Sequence, residues 1–262
     1  MTSQIKLQWL WAIPFCTAAL LMGGCQEKPK AHTDETQKTS TAKQSDEPVS
    51  VIQGKVQRIK LDKNQFCDDQ GCTQYDLQTV KTNVPWIDNY FLERIRKAVP
   101  NAFTAETKDV KVDTHQQGVN QSSIYVRYIS QNNNLATFAI QSYEYAAGAA
   151  HGMHHQEFVT FDLTTHKRLA LSDILKPNVE AQLVQQLYEA NSLWLEQHSI
   201  TPDKLQLSDN YYYGVNGVVF VYPLYELASY AEGMPELKLP YSSAKDLIKP
   251  EYLPGLPQYA SQ

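Results

Sequence analysis

The sequence predicts an α+β fold: an antiparallel β-sheet with helices packed on one face. Several short segments alternate apolar and polar residues, which is the period of a strand with one buried face. Only two segments repeat apolar residues at the period of a helix. The strand-like segments also largely follow one another along the chain, which favours antiparallel pairing over repeated parallel crossovers.

The first elements are two strands and a helix. Residues 51–61 and 73–80 have strand character and are joined by a short loop. Pro85 then begins a helix, because Pro is tolerated in the first turn. The apolar residues that recur on one side of this helix are Ile87, Phe91, Ile95 and Ala98. The Pro100-Asn101 pair ends it.

The remaining elements are predicted from the same two periods. Residues 124–128 and 136–140 alternate on either side of an Asn132-Asn133-Asn134 turn, which indicates a hairpin. Further strands are predicted at residues 159–163, 218–222 and 237–241, and a second helix at residues 179–197.

The N-terminal segment resembles the signal peptide of a bacterial lipoprotein. A lone Lys6 precedes an apolar run that is too short and broken to span a bilayer well. The run ends in Leu21-Met22-Gly23-Gly24 and is followed by Cys25. The resemblance implies removal of residues 1–24 and acylation of Cys25, with an ordinary signal peptide as the alternative. Gln26 stands where an aspartate would resemble an inner-membrane retention signal, so we expect an outer-membrane anchor facing the periplasm.

A polar tether is predicted to follow the anchor, and the overall charge limits the partners. Residues 26–50 contain no aromatic residue and few apolar ones, so they cannot bury enough surface to fold by themselves. The whole chain has a net charge of −5 and no basic stripe. This composition argues against a nucleic-acid partner, and membrane contact is expected through the lipid anchor alone.

Two cysteines remain in the predicted folded part. Cys67 and Cys72 bracket a turn-rich stretch between two strands, and an oxidising compartment favours a disulfide between them. A metal site is the alternative. It is less consistent with the sequence, because a structural zinc ion takes four protein ligands and only Asp68 and Asp69 stand nearby.

Two tyrosine-rich segments hold the candidate ligand-binding residues. The first contains Tyr143 and Tyr145, then small residues, then His151. The second contains Tyr225 and Tyr230. Tyrosine supplies rigid contact area and one polar tip, which suits recognition, while core packing of Tyr225 and Tyr230 is the alternative.

No strong catalytic or metal-binding motif is present. His151, His154 and His155 would share a helix face, but the surrounding pattern is that of a strand, and no His-Glu-x-x-His motif occurs. We therefore predict no metal and no cofactor. The alternative function is an enzyme acting on envelope glycans, with His151 and either Glu144 or Asp162 as the acid and the base.

The C-terminal half resembles the RsiV-like domain of unknown function. The residues that carry the resemblance are Tyr143-Glu-Tyr, Ala150-His151-Gly152, the run from Phe158 to Thr165, Leu171-Ser-Asp-Ile-Leu, the run from Gly217 to Gly233, and Leu239-Pro-Tyr241. Residues 51–147 more faintly resemble the companion domain of that anti-sigma factor and of PdaC-type deacetylases. Ala146 and Ala147 depart from the family, which often has Thr-Gly there.

The resemblance implies a domain division and a function. The expected parts are a signal peptide (1–24), a tether (25–50), a PdaC-like α+β domain (51–147), an RsiV-like domain (148–250) and a tail (251–262). In RsiV this module binds lysozyme as a receptor. No internal transmembrane helix or sigma-binding segment is expected in this chain, so anti-sigma activity is not carried over. The sequence predicts a lipid-anchored envelope protein that binds a lysozyme-type muramidase or peptidoglycan.

Overall fold

A computed structural model describes residues 49–68, 71–104 and 118–254. The chain divides into two units, Met1–Asp46 and Glu47–Gln262, and all of the described residues belong to the second. The signal peptide, Cys25 and most of the tether lie outside the described residues, so their predictions stay predictions. None of the helices in the described ranges is long and apolar enough to cross a membrane.

A large mixed sheet forms one part of the fold. Its strands are β1 (Lys55–Arg58), β2 (Gln65–Asp68), β3 (Gly71–Lys81), β4 (Asn120–Asn132), β5 (Leu135–Tyr145), β6 (Met153–Asp162) and β7 (Lys167–Leu169). Their order is β1-β3-β4-β5-β6-β7, with β2 also paired to β3. The predicted hairpin around the three asparagines is the β4–β5 connection, where Asn132 pairs with Leu135 and Asn133 takes a left-handed φ of 52°.

One pair of strands in this sheet is parallel. β3 and β4 run in the same direction, whereas every other neighbouring pair is antiparallel. Helix α1 (Pro85–Ala98) lies between them in the sequence and carries the chain back to the other end of the sheet. Periodicity along the sequence does not reveal this arrangement, because a strand has the same alternation in either direction.

Helix α1 covers one face of the large sheet, as the sequence predicts. Ile87, Phe91 and Ile95 are almost completely buried, at no more than 1% exposure. Their main partners from the sheet include Phe138 and Phe161, whose rings stand 5.1 and 5.7 Å from that of Phe91. The apolar stripe of the helix and the alternating residues of β5 and β6 therefore form one core.

A second sheet and four further helices make up the rest of the described fold. The second sheet has the order β10-β9-β8, with strands β8 (Tyr211–Tyr213), β9 (Gly217–Val221) and β10 (Glu236–Pro240). The further helices are α2 (Leu171–Ile174), α3 (Glu180–Ala190), α4 (Ser192–Gln197) and α5 (Tyr241–Leu247). This α+β architecture confirms the predicted fold class.

The second predicted helix is in fact two helices. The helical pattern at 179–197 breaks at Asn191, between α3 and α4. The Asn191 side-chain amide donates to the carbonyl oxygen of Lys238 at 3.1 Å, and its oxygen accepts from the Lys238 N–H at 3.1 Å. The side chain thereby satisfies backbone groups at the edge of β10, which explains why a polar residue interrupts the helical pattern.

The two sheets contact each other on the face of the large sheet opposite α1. Ala139 and Phe158 pack there against Val219 and Val221 in a small apolar cluster. The domain boundary predicted after residue 147 falls in the connection between β5 and β6. These strands pair continuously from Leu135↔Asp162 to Glu144↔Met153. The division into a PdaC-like and an RsiV-like domain stays a prediction.

The predicted disulfide is present. Cys67 and Cys72 are bonded to each other and are directly opposite in the register of β2 and β3. Cys72 is buried at 4% exposure, so the bond ties the β2–β3 hairpin to the body of the sheet.

Candidate functional site

Five aromatic side chains from two distant segments meet at one end of β6, and we call them the aromatic patch: Tyr143, His151, His154, Tyr225 and Tyr230. The first three come from the end of β5, the β5–β6 connection and the start of β6. The last two come from the connection between β9 and β10. The structure therefore brings together four of the five predicted ligand-binding residues.

Tyr230 is the centre of the aromatic patch. Its ring stacks on that of His151, with centroids 4.1 Å apart and planes inclined by 24°. The Tyr230 ring also stacks on Tyr225, with centroids 5.8 Å apart, and makes an edge-type contact with His154, with centroids 5.9 Å apart. The Tyr230 hydroxyl donates to the carbonyl oxygen of Gly152 at 2.9 Å, which fixes the ring against the β5–β6 connection.

Gly152 allows Tyr143 to join the aromatic patch. A Cβ atom at position 152 would overlap the ring of Tyr143, so any side chain there would displace that ring. Tyr143 is directly opposite His154 in the pairing of β5 and β6, and 37% of it is exposed. The small residue before the strand is thus needed for close packing of an aromatic ring on the backbone.

Tyr225 is held in an unusual backbone conformation. Its φ is +68°, in the left-handed region that bulky residues rarely adopt, and 56% of the residue is exposed. A conformation of this kind costs of order 1–3 kcal/mol and persists only where the surroundings impose it. Because Tyr225 is exposed, core packing does not account for this conformation, and Tyr225 is a candidate contact residue.

Tyr145 is the predicted ligand-binding residue that we do not include in the aromatic patch. It is half-buried at the end of β5 and lines a separate cleft of about 520 Å³. Glu144, His151 and Met153 line the same cleft, together with residues at the end of α1. His151 therefore borders both the cleft and the aromatic patch.

The two carboxylates proposed for the enzyme alternative have different surroundings. Glu144 is exposed and shares the cleft with His151. Asp162 stands at the far end of β6, about 30 Å away at the usual rise per residue of a strand, so it cannot act together with His151.

Asp162 has a structural role in the turn that follows β6. Its oxygens accept hydrogen bonds from the Asn134 amide at 2.9 Å, the Thr164 N–H at 2.9 Å and the Thr165 hydroxyl at 2.8 Å. Burial alone would raise the pKa of Asp162, but these hydrogen bonds hold it below its ordinary value. An ionised acceptor in a turn requires no catalytic explanation.

A pair of residues that local sequence patterns did not identify lies beside the aromatic patch. His198, just after α4, donates from its Nε2 side to Glu232 at 2.6 Å. Glu232 belongs to the same 3₁₀ turn as Tyr230 (Tyr230–Glu232). In the sequence, His154 was considered only as a metal ligand. Its position opposite Tyr143 on the paired strands β5 and β6 is the signal that could have assigned it to the site. The His198–Glu232 contact had no such signal.

No metal centre is found among the described residues. No group of three or more histidine, cysteine or acidic side chains in the ranges 49–68, 71–104 and 118–254 is arranged to hold a metal ion. His154 and His155 are neighbours on a strand and point to opposite faces.

Comparison with known families shows which proteins this chain is similar to. Residues 162–242 match the family model described as Protein of unknown function (DUF3298). This DUF3298 segment runs from the end of β6 to the start of α5. It includes Tyr225, Tyr230 and Glu232, whereas Tyr143 and His151 precede it. None of the curated proteins matches the chain.

Two solved structures share the fold. A DUF3298 family protein from Pseudomonas aeruginosa PAO1 is 23% identical, with a TM-score of 0.59, and the match covers 79% of this chain and 99% of that protein. A member of the DUF3298 family from Bacteroides fragilis NCTC 9343 is 15% identical, with a TM-score of 0.56, covering 78% of this chain and 96% of that one. Because the matches extend well beyond the DUF3298 segment, most of the described fold has counterparts in these proteins.

Proposed function

We propose that this protein is a non-catalytic, lipid-anchored binding module of the cell envelope, and that the aromatic patch is its contact surface. The observation that supports the proposal is the stack Tyr225–Tyr230–His151, assembled from two segments and left partly open to solvent. Stacked tyrosines present rigid area with little loss of side-chain entropy on binding, which is typical of residues that dominate binding energy.

The charges around the aromatic patch favour a cationic partner. Residues 143–155 and 222–234 contain Glu144, Glu226 and Glu232 but no lysine or arginine, and of the three carboxylates Glu232 is paired with His198. An acidic surface attracts a basic protein and repels the carboxylates of peptidoglycan peptides. Together with the resemblance to the RsiV-like domain, this favours a lysozyme-type muramidase over peptidoglycan as the ligand.

Binding measurements with wild type and matched variants test the proposal. Calorimetry of the full-length protein in detergent is expected to show binding to a basic lysozyme and weaker or no binding to muropeptides. Tyr225→Ala and His151→Ala are each expected to lower the affinity about tenfold, with unchanged thermal unfolding. Leu193→Ala is the control, because it removes a side chain that is 73% exposed and outside the aromatic patch. Absence of binding to either ligand would contradict the proposal.

The shared cleft of Glu144 and His151 supports one alternative, an enzyme that acts on envelope glycans. An acid and a base need to approach the same substrate atoms, and these two side chains line the same space. In this case glycan hydrolysis or deacetylation would be measurable, and His151→Ala would abolish turnover while glycan binding remained.

The anchoring prediction concerns Cys25. Acylation of Cys25 is expected to place the protein in the membrane fraction, and Cys25→Ala is expected to give soluble protein or unprocessed precursor, because the acyl chains supply the membrane affinity. Metabolic labelling with a fatty-acid analogue measures this directly. A label that persists in Cys25→Ala, or is missing from wild type, would exclude the lipoprotein assignment.

A further inference from the structure

The 3₁₀ turn that carries Tyr230 is attached to α4 through a single histidine. His198 donates from one side of its ring to the Glu232 carboxylate at 2.6 Å, and its other nitrogen, Nδ1, lies 2.8 Å from the carbonyl oxygen of Trp194. The imidazole also stacks on the Trp194 indole, with centroids 3.9 Å apart. The ring is therefore fixed on three sides.

Both hydrogen-bond partners of this ring are acceptors. A carbonyl oxygen and a carboxylate can only accept, so the two nitrogens of His198 must both carry hydrogen. A neutral imidazole has one N–H and one lone pair, and can satisfy only one of the two partners. The arrangement requires the imidazolium form.

We propose that protonated His198 is a positioning residue for the aromatic patch, and that it holds the Tyr230 turn in place by means of Glu232. Besides the ring contacts of Tyr230, residues 229–234 make two further hydrogen bonds to other elements within the described part of the chain: Tyr230 donates to the Gly152 carbonyl oxygen, and the Gln156 N–H donates to the Met234 sulfur at 3.2 Å. The Met234 sulfur is a weak acceptor, and the Tyr230 hydroxyl makes a neutral hydrogen bond. Of these three hydrogen bonds, the His198–Glu232 pair is the one between charged groups.

The groups around His198 determine the direction of the pH effect. The hydrogen bond to the Trp194 carbonyl, and next the one to Glu232, raise the pKa of His198 above its ordinary value. On the other side, His198 and then Ser229, which donates to Glu232 at 3.0 Å, lower the pKa of Glu232. Glu196 is the nearest acidic residue on α4. It stands two residues before His198 in the sequence, and its side chain is exposed. The attachment is therefore complete below the ordinary histidine pKa of about 6.5 and is lost as the pH rises through the higher pKa of the folded state.

Hydrogen exchange combined with NMR titration of the full-length protein tests the proposal. In wild type, the backbone amides of residues 229–234 are expected to open about two- to fivefold more often at pH 8.5 than at pH 5.5, after correction for intrinsic exchange, which is the range for a partly exposed ion pair. In Glu232→Gln the side-chain amide can donate to a neutral imidazole, so this pH dependence is expected to disappear and the His198 pKa to fall.

His166→Asn is the matched control, because it removes a histidine remote from the turn, and asparagine tolerates the left-handed φ of 54° at that position. It should keep the wild-type pH dependence. Equal protection of residues 229–234 at both pH values in wild type, or pH dependence that survives in Glu232→Gln, would overturn the proposal.

The consequence for ligand binding rests on the proposed function. Affinity for a basic lysozyme is expected to fall over the same pH range and by a similar factor, and not to do so in Glu232→Gln. If the turn loosens with pH but no lysozyme binds, the proposed function fails while the positioning role stands. If lysozyme binds with the same pH dependence in wild type and Glu232→Gln, His198 has no role in binding.

Discussion

Replacing Tyr230 by alanine is expected to cause the largest loss of ligand binding of any single change in the aromatic patch. The substitution removes the ring that His151, His154 and Tyr225 all contact, and also the hydroxyl that donates to the Gly152 carbonyl oxygen. Because both segments lose their common partner, the expected loss is at least about 2 kcal/mol of binding free energy, or roughly 30-fold in affinity.

Tyr230→Phe separates the two contributions of this residue. It keeps the stacked ring and removes only the hydroxyl, so the expected loss of binding free energy is about 0.5–1.5 kcal/mol. Calorimetric titration with a basic lysozyme, alongside thermal unfolding of each variant, measures both effects. Wild-type affinity in a folded Tyr230→Ala protein would exclude the aromatic patch as the contact surface.

Gly217→Ala is expected to destabilise the fold strongly. Gly217 begins the completely buried strand β9, and an added Cβ would overlap the carbonyl oxygen of Leu239 and lie 3.0 Å from the Cα of Pro240. These are backbone atoms of the paired strand β10 and cannot rotate away. The expected decrease in the free energy of unfolding is about 3 kcal/mol or more, at the upper end for overpacking.

Gly148→Ala is the matched control for Gly217→Ala. Nothing lies within 4 Å of a Cβ added at Gly148, so only its left-handed backbone, with φ of +84°, resists the substitution. The expected decrease in the free energy of unfolding is about 1–2 kcal/mol. Denaturant unfolding of the full-length variants gives both values. A smaller loss for Gly217→Ala than for Gly148→Ala would contradict the close packing of β9 on β10.

Local sequence patterns predicted the elements well where one face is buried. The bounds of α1, the turn at the three asparagines and the Cys67–Cys72 bond follow from residues that lie close together in the chain. The split of the second helical segment was missed, because Asn191 bonds to the backbone of Lys238, 47 residues away. No local pattern contains that partner.

The candidate site, too, was predicted from the sequence only in part. The sequence showed its tyrosines and His151 as two aromatic segments with small residues nearby, and these indicated the kind of contact surface to expect. The alternation of apolar residues determined the fold class. Only the tertiary structure decided that Tyr230 stacks on His151 and that Tyr145 turns to a separate cleft. It also placed His198 beside the Tyr230 turn by way of Glu232. Alternation along a strand specifies which face a side chain occupies, whereas the partner across the fold depends on how strands and helices distant in sequence pack together.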